Sequence, residues 1–444
     1  MVDETQTRLL TRRESLAAIS AAALTASLPG CWIPSSKSAS DNRADWRNYR
    51  SQSEPKSVAM IMTVWYPGSH SDVFARTMLE GWDKDDGPGP NLRFTSMFVE
   101  QFPDNDRSRE YSEKYGVPIF ETIEEALTLG TDGIDVDGVL LIGEHGKYPV
   151  NEKLQDLYPR REFFDQIADT FEKHGRVVPV FNDKHFGPSW DDAKWTYDRA
   201  QAMDIPMMAG SSLPFCFREP DLALPMGCEI ETIVAVGYAA PDRYGIHALE
   251  FVQSFAERRR GGETGIKWAQ CLTGDAMWQA ADDGRVAKEA MEAAFRVVTD
   301  KDFCEARKLE GDWIALYLFE YLDGLTGAVF MLHRFAGRCG LAVQLKGERA
   351  PRVTSANEIP YPKVPHFSYQ LYAIEQMLHT GKPTYPVERT LLTTGLLDRL
   401  LTNRIEGQRP VSTPELAIRY EGSDYPHAPN PLIETRVDKS YTRR

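Results

Sequence analysis

The chain has 444 residues, 42% of them hydrophobic and 11% aromatic, and a formal net charge of −14. That length suggests two or three domains with enough apolar side chain for sizeable cores. The acidic balance argues against nucleic acid as a partner, because phosphate binding needs a basic face. The notable basic run, Arg258 to Arg260, is three residues long and reads as a solvated helix end.

Residues 1–34 read as a targeting segment rather than as fold. Thr11-Arg12-Arg13-Glu14-Ser15-Leu16 is a twin-arginine pattern, and Leu16 to Leu28 is an Ala-rich apolar region too short to span a bilayer. Leu28-Pro29-Gly30-Cys31 is similar to a lipobox, in which Cys31 would carry lipid and anchor the chain to a membrane. The expectation is an exported protein, periplasmic or envelope-associated, against the plainer reading of a cytoplasmic tail. Export of folded chains by this route favours a cofactor bound beforehand. The other cysteines, Cys216, Cys228, Cys271, Cys304 and Cys339, are odd in number and lack any CxxC. They read as small buried apolar residues with room for one disulfide. Residues 35–55 are Ser-rich and polar, a linker.

From 56 to 217 strand and helix patterns alternate. Lys56 to Val64 is a buried strand, Ser69 to Glu80 a helix, and Leu92 to Glu100 a second strand. Ser108 to Tyr115 is a helix stopped by Gly116, Val117 to Phe120 is extended, and Thr122 caps a helix from Ile123 to Leu129. Gly138 to Gly143 is another strand, and Phe163 to His174 a helix with Gly175 after it. Val177 to Phe181 reads as a strand buried on both faces, although Pro179 cannot donate to a ladder. Asn182, Asp183, Lys184 and His185 then put four polar side chains at its carboxyl end, where open α/β sheets bind ligands. Ser189 is an N-cap, with Asp191 and Asp192 in the first turn, and Ile205 to Ala209 is the next strand. This alternation predicts a Rossmann-like domain with a parallel sheet.

Residues 218–402 change character. Glu229 to Gly237, Gly265 to Leu272, Trp313 to Phe319, Gly327 to Arg334 and Gly340 to Leu345 read as strands. His247 to Arg260, Val286 to Val298, Ser368 to His379 and Val387 to Leu401 read as helices. Runs of strands flanked by helices predict an α+β domain with a mainly antiparallel, open sheet. Residues 403–444 are polar and Pro-rich, a tail expected to wrap a partner subunit or stay loose.

Four stretches carry a family resemblance. They are Tyr111 to Leu127 (YSEKYGVPIFETIEEAL), Val177 to Gly210, Ile374 to Leu401, and Tyr244 to Glu250 (YGIHALE). In this order they resemble the Gfo/Idh/MocA family of NAD(P)-dependent sugar and cyclitol oxidoreductases, across most of 56–401. The resemblance implies a Rossmann domain, a second domain whose open sheet packs subunit to subunit, and a dimer or tetramer. It also implies a Lys near the nicotinamide and substrate hydroxyl, here Lys184, and a His in proton transfer, here His247. Neutral imidazole suits removal of a hydroxyl proton near neutral pH, and an ammonium suits the developing alkoxide.

The departures lie where the nucleotide would be held. Gly-x-Gly-x-x-Gly is replaced by Thr63-Val64-Trp65-Tyr66-Pro67-Gly68, and only Gly68 remains. Trp65 and Tyr66 are expected to take the space of the phosphates, while Glu100 would suit a ribose. The third strand runs into Gly143-Glu144-His145, Glu-Lys-Pro has become Asp183-Lys184-His185, and Arg243 stands where the family has Asp. Asp183, Lys184, His185 and His247 are therefore the candidate catalytic groups. Gly68, His70, Glu100, Gly143, Glu144 and His145 are the candidate NAD- or NADP-binding groups. The histidines and carboxylates together also have the donor types of a divalent-metal site, or could hold sugar hydroxyls without one. Trp65, Tyr66, Phe102, Tyr148, Tyr158 and Phe186 are expected to ring the same rim, as aromatic faces suit sugars. Three functions follow: an oxidoreductase on a sugar or polyol; an isomerase or lyase on sugars that uses metal or acid–base groups without NAD(P); and a non-catalytic carbohydrate-binding envelope protein.

Overall fold

A computed structural model describes residues 53–358 and 363–429. The twin-arginine stretch, Cys31 and most of the linker lie outside the described residues, as do 430–444. The first half is β1 (Lys56–Val64), α1 (His70–Glu80), β2 (Leu92–Gln101), α2 (Ser108–Tyr115), β3 (Ile119–Phe120), α3 (Ile123–Thr128), β4 (Gly138–Ile142), α4 (Arg160–His174), β5 (Val180–Asp183), α5 (Trp190–Ala202) and β6 (Met207–Gly210). These strands form one parallel sheet in the order β3-β2-β1-β4-β5-β6, so the winding direction reverses between β1 and β4. That reversal opens a crevice at the carboxyl ends of the strands.

Strand β1 shows why the sheet is buried on both sides. Its side chains alternate: Ala59 and Ile61 pack with Ile123, Phe163 and Ile167 of α3 and α4, and Val58, Met60 and Met62 pack on the other face with Phe74 of α1. Strand β5 starts at Val180, not Val177, and runs on to Asp183. Pro179 has no N–H for the ladder, and only its carbonyl takes part, accepting from Val139 N at 3.0 Å. Asn182 and Asp183 are thus strand residues, and Lys184 is the first to leave the sheet.

The second half is β7 (Phe217–Glu219), β8 (Ile230–Gly237), α6 (Gly245–Ala256), β9 (Ile266–Leu272), α7 (Asp275–Asp282), α8 (Lys288–Val298), α9 (Phe303–Ala306), β10 (Ile314–Tyr321), β11 (Thr326–Leu332), β12 (Gly340–Leu345), β13 (Arg352–Asn357), α10 (Pro365–Thr380), α11 (Glu388–Ile405) and β14 (Val411–Ser412). Its sheet runs β14-β9-β10-β11-β8-β12-β13-β7, antiparallel except between β8 and β11. Helix α10 leaves this half and covers the α1 face of the first sheet. Phe367, Ile374 and Met377 pack with Met60 and Phe74, and a Cβ on Gly138 would lie 2.7 Å from Leu378 Cδ2, so a side chain there would push Leu378 aside.

Two expectations, a sheet face left for a neighbouring subunit and a loose tail, meet a different arrangement. The second sheet is mainly antiparallel and open, ending at β14 and β7, but helices of this chain cover both its faces: Ile233 and Ala235 of β8 face α6 and α11, while Val234 and Val236 face Met277, Trp278, Met291 and Phe295 of α7 and α8. The chain's own helices therefore sit on the face that the resemblance gave to a neighbouring subunit. Nor is the stretch after 403 loose as far as it is described. β14 pairs with β9, Leu416 is fully buried, and Ala428 N donates to Phe215 O at 3.1 Å. All five cysteines among the described residues are free, with Cys216, Cys271 and Cys339 buried. No helix of the described residues is long and apolar enough to cross a membrane.

Candidate active site

The carboxyl ends of β1, β4, β5 and β6 meet the N-terminal turns of α1, α6 and α10. Lys184 turns out of β5 with φ of +60°, held by its N–H to Gly210 O at 3.2 Å. Its Nζ donates to Glu144 Oε1 at 2.7 Å, and Arg160 Nη2 donates to Glu144 Oε2 at 2.6 Å. All three side chains are buried. Burial alone would raise the Glu144 pKa, but the Lys184 ammonium, followed by His145 and Arg160, holds it well below the usual carboxylate range.

His70 occupies the first turn of α1, and its Nδ1 lies 2.6 Å from Asp183 Oδ2. The second oxygen, Asp183 Oδ1, is buried without a hydrogen-bond partner. His145 has φ of +69°, and its ring lies 5.3 Å from His70 and 5.5 Å from Tyr66. Its Nε2 is also buried and unpartnered, and burial pushes its pKa down to about 3. His247, on α6, has Nδ1 2.5 Å from Ser211 Oγ, and its ring lies 6.4 Å from His70. Burial, and then the charge of Lys184, lower its pKa well below 6.5, so the imidazole is neutral at ordinary pH. Beneath it Glu250 accepts from Thr390 Oγ1 at 2.6 Å and from Ser211 N at 3.3 Å, and burial pushes its pKa up to about 7.

The structure brings Asp183, Lys184, His247, His70, Glu144 and His145 to one rim. His185, next in sequence, is buried with Nε2 3.5 Å from Asp242 Oδ1, and its backbone carbonyl is bound by Asn182. Glu100 is exposed at the β2 end and accepts from the Tyr148 hydroxyl. Gly143 serves packing, since a Cβ there would lie 2.7 Å from Arg160 Cγ. Gly68, with φ of +80°, donates its N–H to Asp72 Oδ2 at 3.0 Å. Trp65 does not ring the rim. It is fully buried, 5.0 Å from the ring of Tyr111. Phe186 is likewise core, and Phe102 lies under Arg109. Among the described residues no three His, Cys, Asp or Glu side chains are set to hold a metal ion. His70 is committed to Asp183 and Glu144 to two cations, so the metal-site expectation is not supported.

Four contributors escaped the sequence reading. Ser211 orients His247, Arg160 completes the ion triad, Asp72 closes the β1–α1 loop, and Phe367 of α10 packs 4.7 Å from the His70 ring. Ser211 had one signal, its place at the carboxyl end of a strand.

No family model and no curated protein matches the sequence. Among solved structures, GenD2 from gentamicin A biosynthesis, in complex with NAD, matches with a TM-score of 0.54 at 11% identity, covering 82% of this chain and 98% of that one. A myo-inositol dehydrogenase from Corynebacterium glutamicum ATCC 13032 matches with a TM-score of 0.51 at 13% identity, covering 80% of this chain and 98% of that one. The chain has the fold of the Gfo/Idh/MocA-type oxidoreductases.

Proposed function

We propose that the protein is an oxidoreductase acting on a hydroxyl of a sugar or polyol, with His247 as the proton acceptor and Lys184 as the cation beside the oxygen. The observation that carries this is the buried convergence of His247, His145, His70–Asp183 and Lys184–Glu144 at one set of strand ends. Neutral His247 can take a proton, with Ser211 holding its Nδ1 so that Nε2 is the working nitrogen. Lys184 keeps its charge through Glu144 and would stabilise an alkoxide. Asp183 Oδ1 and His145 Nε2, both without partners, are fit to accept from and donate to neighbouring hydroxyls and so orient the ring.

NAD(P) is the cofactor that this reading assigns, by likeness to GenD2, and a bound nicotinamide would accept hydride. The residues present do not fit its phosphates. Around the β1–α1 loop, Tyr66 N donates to Ser69 Oγ, Gly68 N to Asp72 Oδ2 and Ser69 N to Tyr66 O, at 3.2, 3.0 and 3.0 Å. Export by the twin-arginine stretch, with or without lipid on Cys31, is part of the same proposal and rests on the sequence. A homo-oligomer, dimer or tetramer, belongs to the same proposal and rests on the family resemblance.

The test is product analysis. A panel of sugars and polyols is incubated with the protein at millimolar NAD+ or NADP+, and products lighter by two hydrogens are sought by mass spectrometry. Lys184→Ala and His247→Ala should each lower the rate by roughly 10²-fold or more. Equal rates in the wild type and both variants would remove the site.

A further inference from the structure

Asp72 carries a consequence for nucleotide binding. It stands at the third position of α1 and is fully buried. Its Oδ1 accepts from the Trp65 indole N–H at 2.9 Å and its Oδ2 from Gly68 N at 3.0 Å. Ser69 Oγ caps the helix by accepting from Asp72 N at 3.2 Å. The nearest cation is Arg76, whose Nη1 is 3.9 Å from Oδ2 and whose Nη2 is bound to Glu80 at 2.6 Å. A carboxylate therefore takes up the loop donors and sits at the positive helix end, where a pyrophosphate would need both.

The crevice is fastened on its other side as well. Thr63 Oγ1 donates to Glu144 O at 2.7 Å, joining the β1 end to the β4 loop. The Tyr66 ring meets His145 across the gap. Gln101 binds both backbone groups of Lys147, at 2.9 and 3.3 Å, and holds that loop against the β2 end.

We infer that Asp72 is a built-in substitute for the pyrophosphate, a carboxylate plug that excludes dinucleotides from the phosphate seat of this fold and makes NAD(P) binding weak in the wild-type chain. The inference rests on reading this crevice as the nucleotide crevice of the oxidoreductase proposed above. It goes beyond that reading by naming the residue that controls access. Replacing Asp72 by Ser removes the charge and frees the Trp65 and Gly68 donors. Replacing it by Asn keeps the shape, removes the charge and leaves one acceptor oxygen for the two donors, Trp65 Nε1 and Gly68 N.

The experiment is a titration with NADH and with NADPH, followed by cofactor fluorescence, on the full chain and on D72S, D72N and W65F at one ionic strength. Wild type should bind weakly and D72S about tenfold tighter or more, with D72N between them. W65F keeps the carboxylate and should bind no tighter than wild type. Circular dichroism confirms that each variant is folded; if D72S is not, D72N decides. Tight wild-type binding that is unchanged in the folded Asp72 variants would overturn the inference. A D72S protein that binds the dinucleotide tightly yet oxidises no sugar supports the plug and removes the oxidoreductase reading, so the two fail separately.

Discussion

Glu144 is the anion that keeps two buried cations at the strand ends. It is 1% exposed and lies 2.7 Å from Lys184 Nζ and 2.6 Å from Arg160 Nη2. Glu144→Gln preserves the shape and deletes the charge, leaving both cations buried against a neutral amide. Removing one partner of a buried pair costs about 3–5 kcal/mol, and the loss here falls on two ions, so the upper part of that range is expected. Urea unfolding at pH 7, followed by tryptophan fluorescence, measures it. Glu144→Gln combined with Lys184→Met should recover about 1–3 kcal/mol, because one of the stranded charges is gone. The sign with pH is fixed as well. The folded pKa of Glu144 is depressed, so its contribution is present above 4.5 and is lost as pH falls through the folded value. The Gln variant should lack that acid-side loss. A variant within about 1 kcal/mol of wild type, as for an exposed ion pair, would refute the buried triad.

Three other outcomes are expected. Ser211→Ala removes the partner of His247 Nδ1; kcat should fall about tenfold, as for one lost hydrogen bond, with KM little changed and Ser211→Thr restoring it. Glu250 keeps its proton in the folded state up to about 7 against 4.5 when unfolded, so its contribution is lost as pH rises through that window. Glu250→Gln should therefore gain stability relative to wild type between pH 5 and pH 8, by about 3 kcal/mol at most, read from urea midpoints. Phe295 of α8 packs on Phe303, Phe330 and Phe335 over the second sheet. Phe295→Ala should cost about 3–5 kcal/mol in the same assay, and a loss below about 1 kcal/mol would mean that the helix is not part of the core.

Much of the fold was legible because β1 and β4 are apolar runs that only a sheet covered on both faces can bury, and because Thr122 and Ser189 cap as their sequence suggests. The polar strand β13, RVTSAN, carries no such signal and was missed. So was the covering of the second sheet, since the amphipathic pattern of α8 shows that a face is buried but not against what. Within the site, Lys184 was singled out by its place at a strand end and His247 by the family resemblance; the structure sets the His247 ring 6.4 Å from His70 and Lys184 against Glu144. Arg160 and Asp72 were not singled out. A charged residue becomes structural only when a partner distant in sequence, such as Glu144, or a folded loop, such as the one carrying Trp65 and Gly68, closes on it. His185 likewise meets a partner distant in sequence, with Nε2 3.5 Å from Asp242 Oδ1.

The most direct measurement is a crystal structure with a polyol that the protein converts, soaked to saturation. The ligand is expected at the ends of β4, β5 and β6, with one hydroxyl between His247 Nε2 and Lys184 Nζ and another within hydrogen-bond reach of Asp183 Oδ1 or His145 Nε2. A polyol bound elsewhere, with those atoms untouched, would contradict this placement.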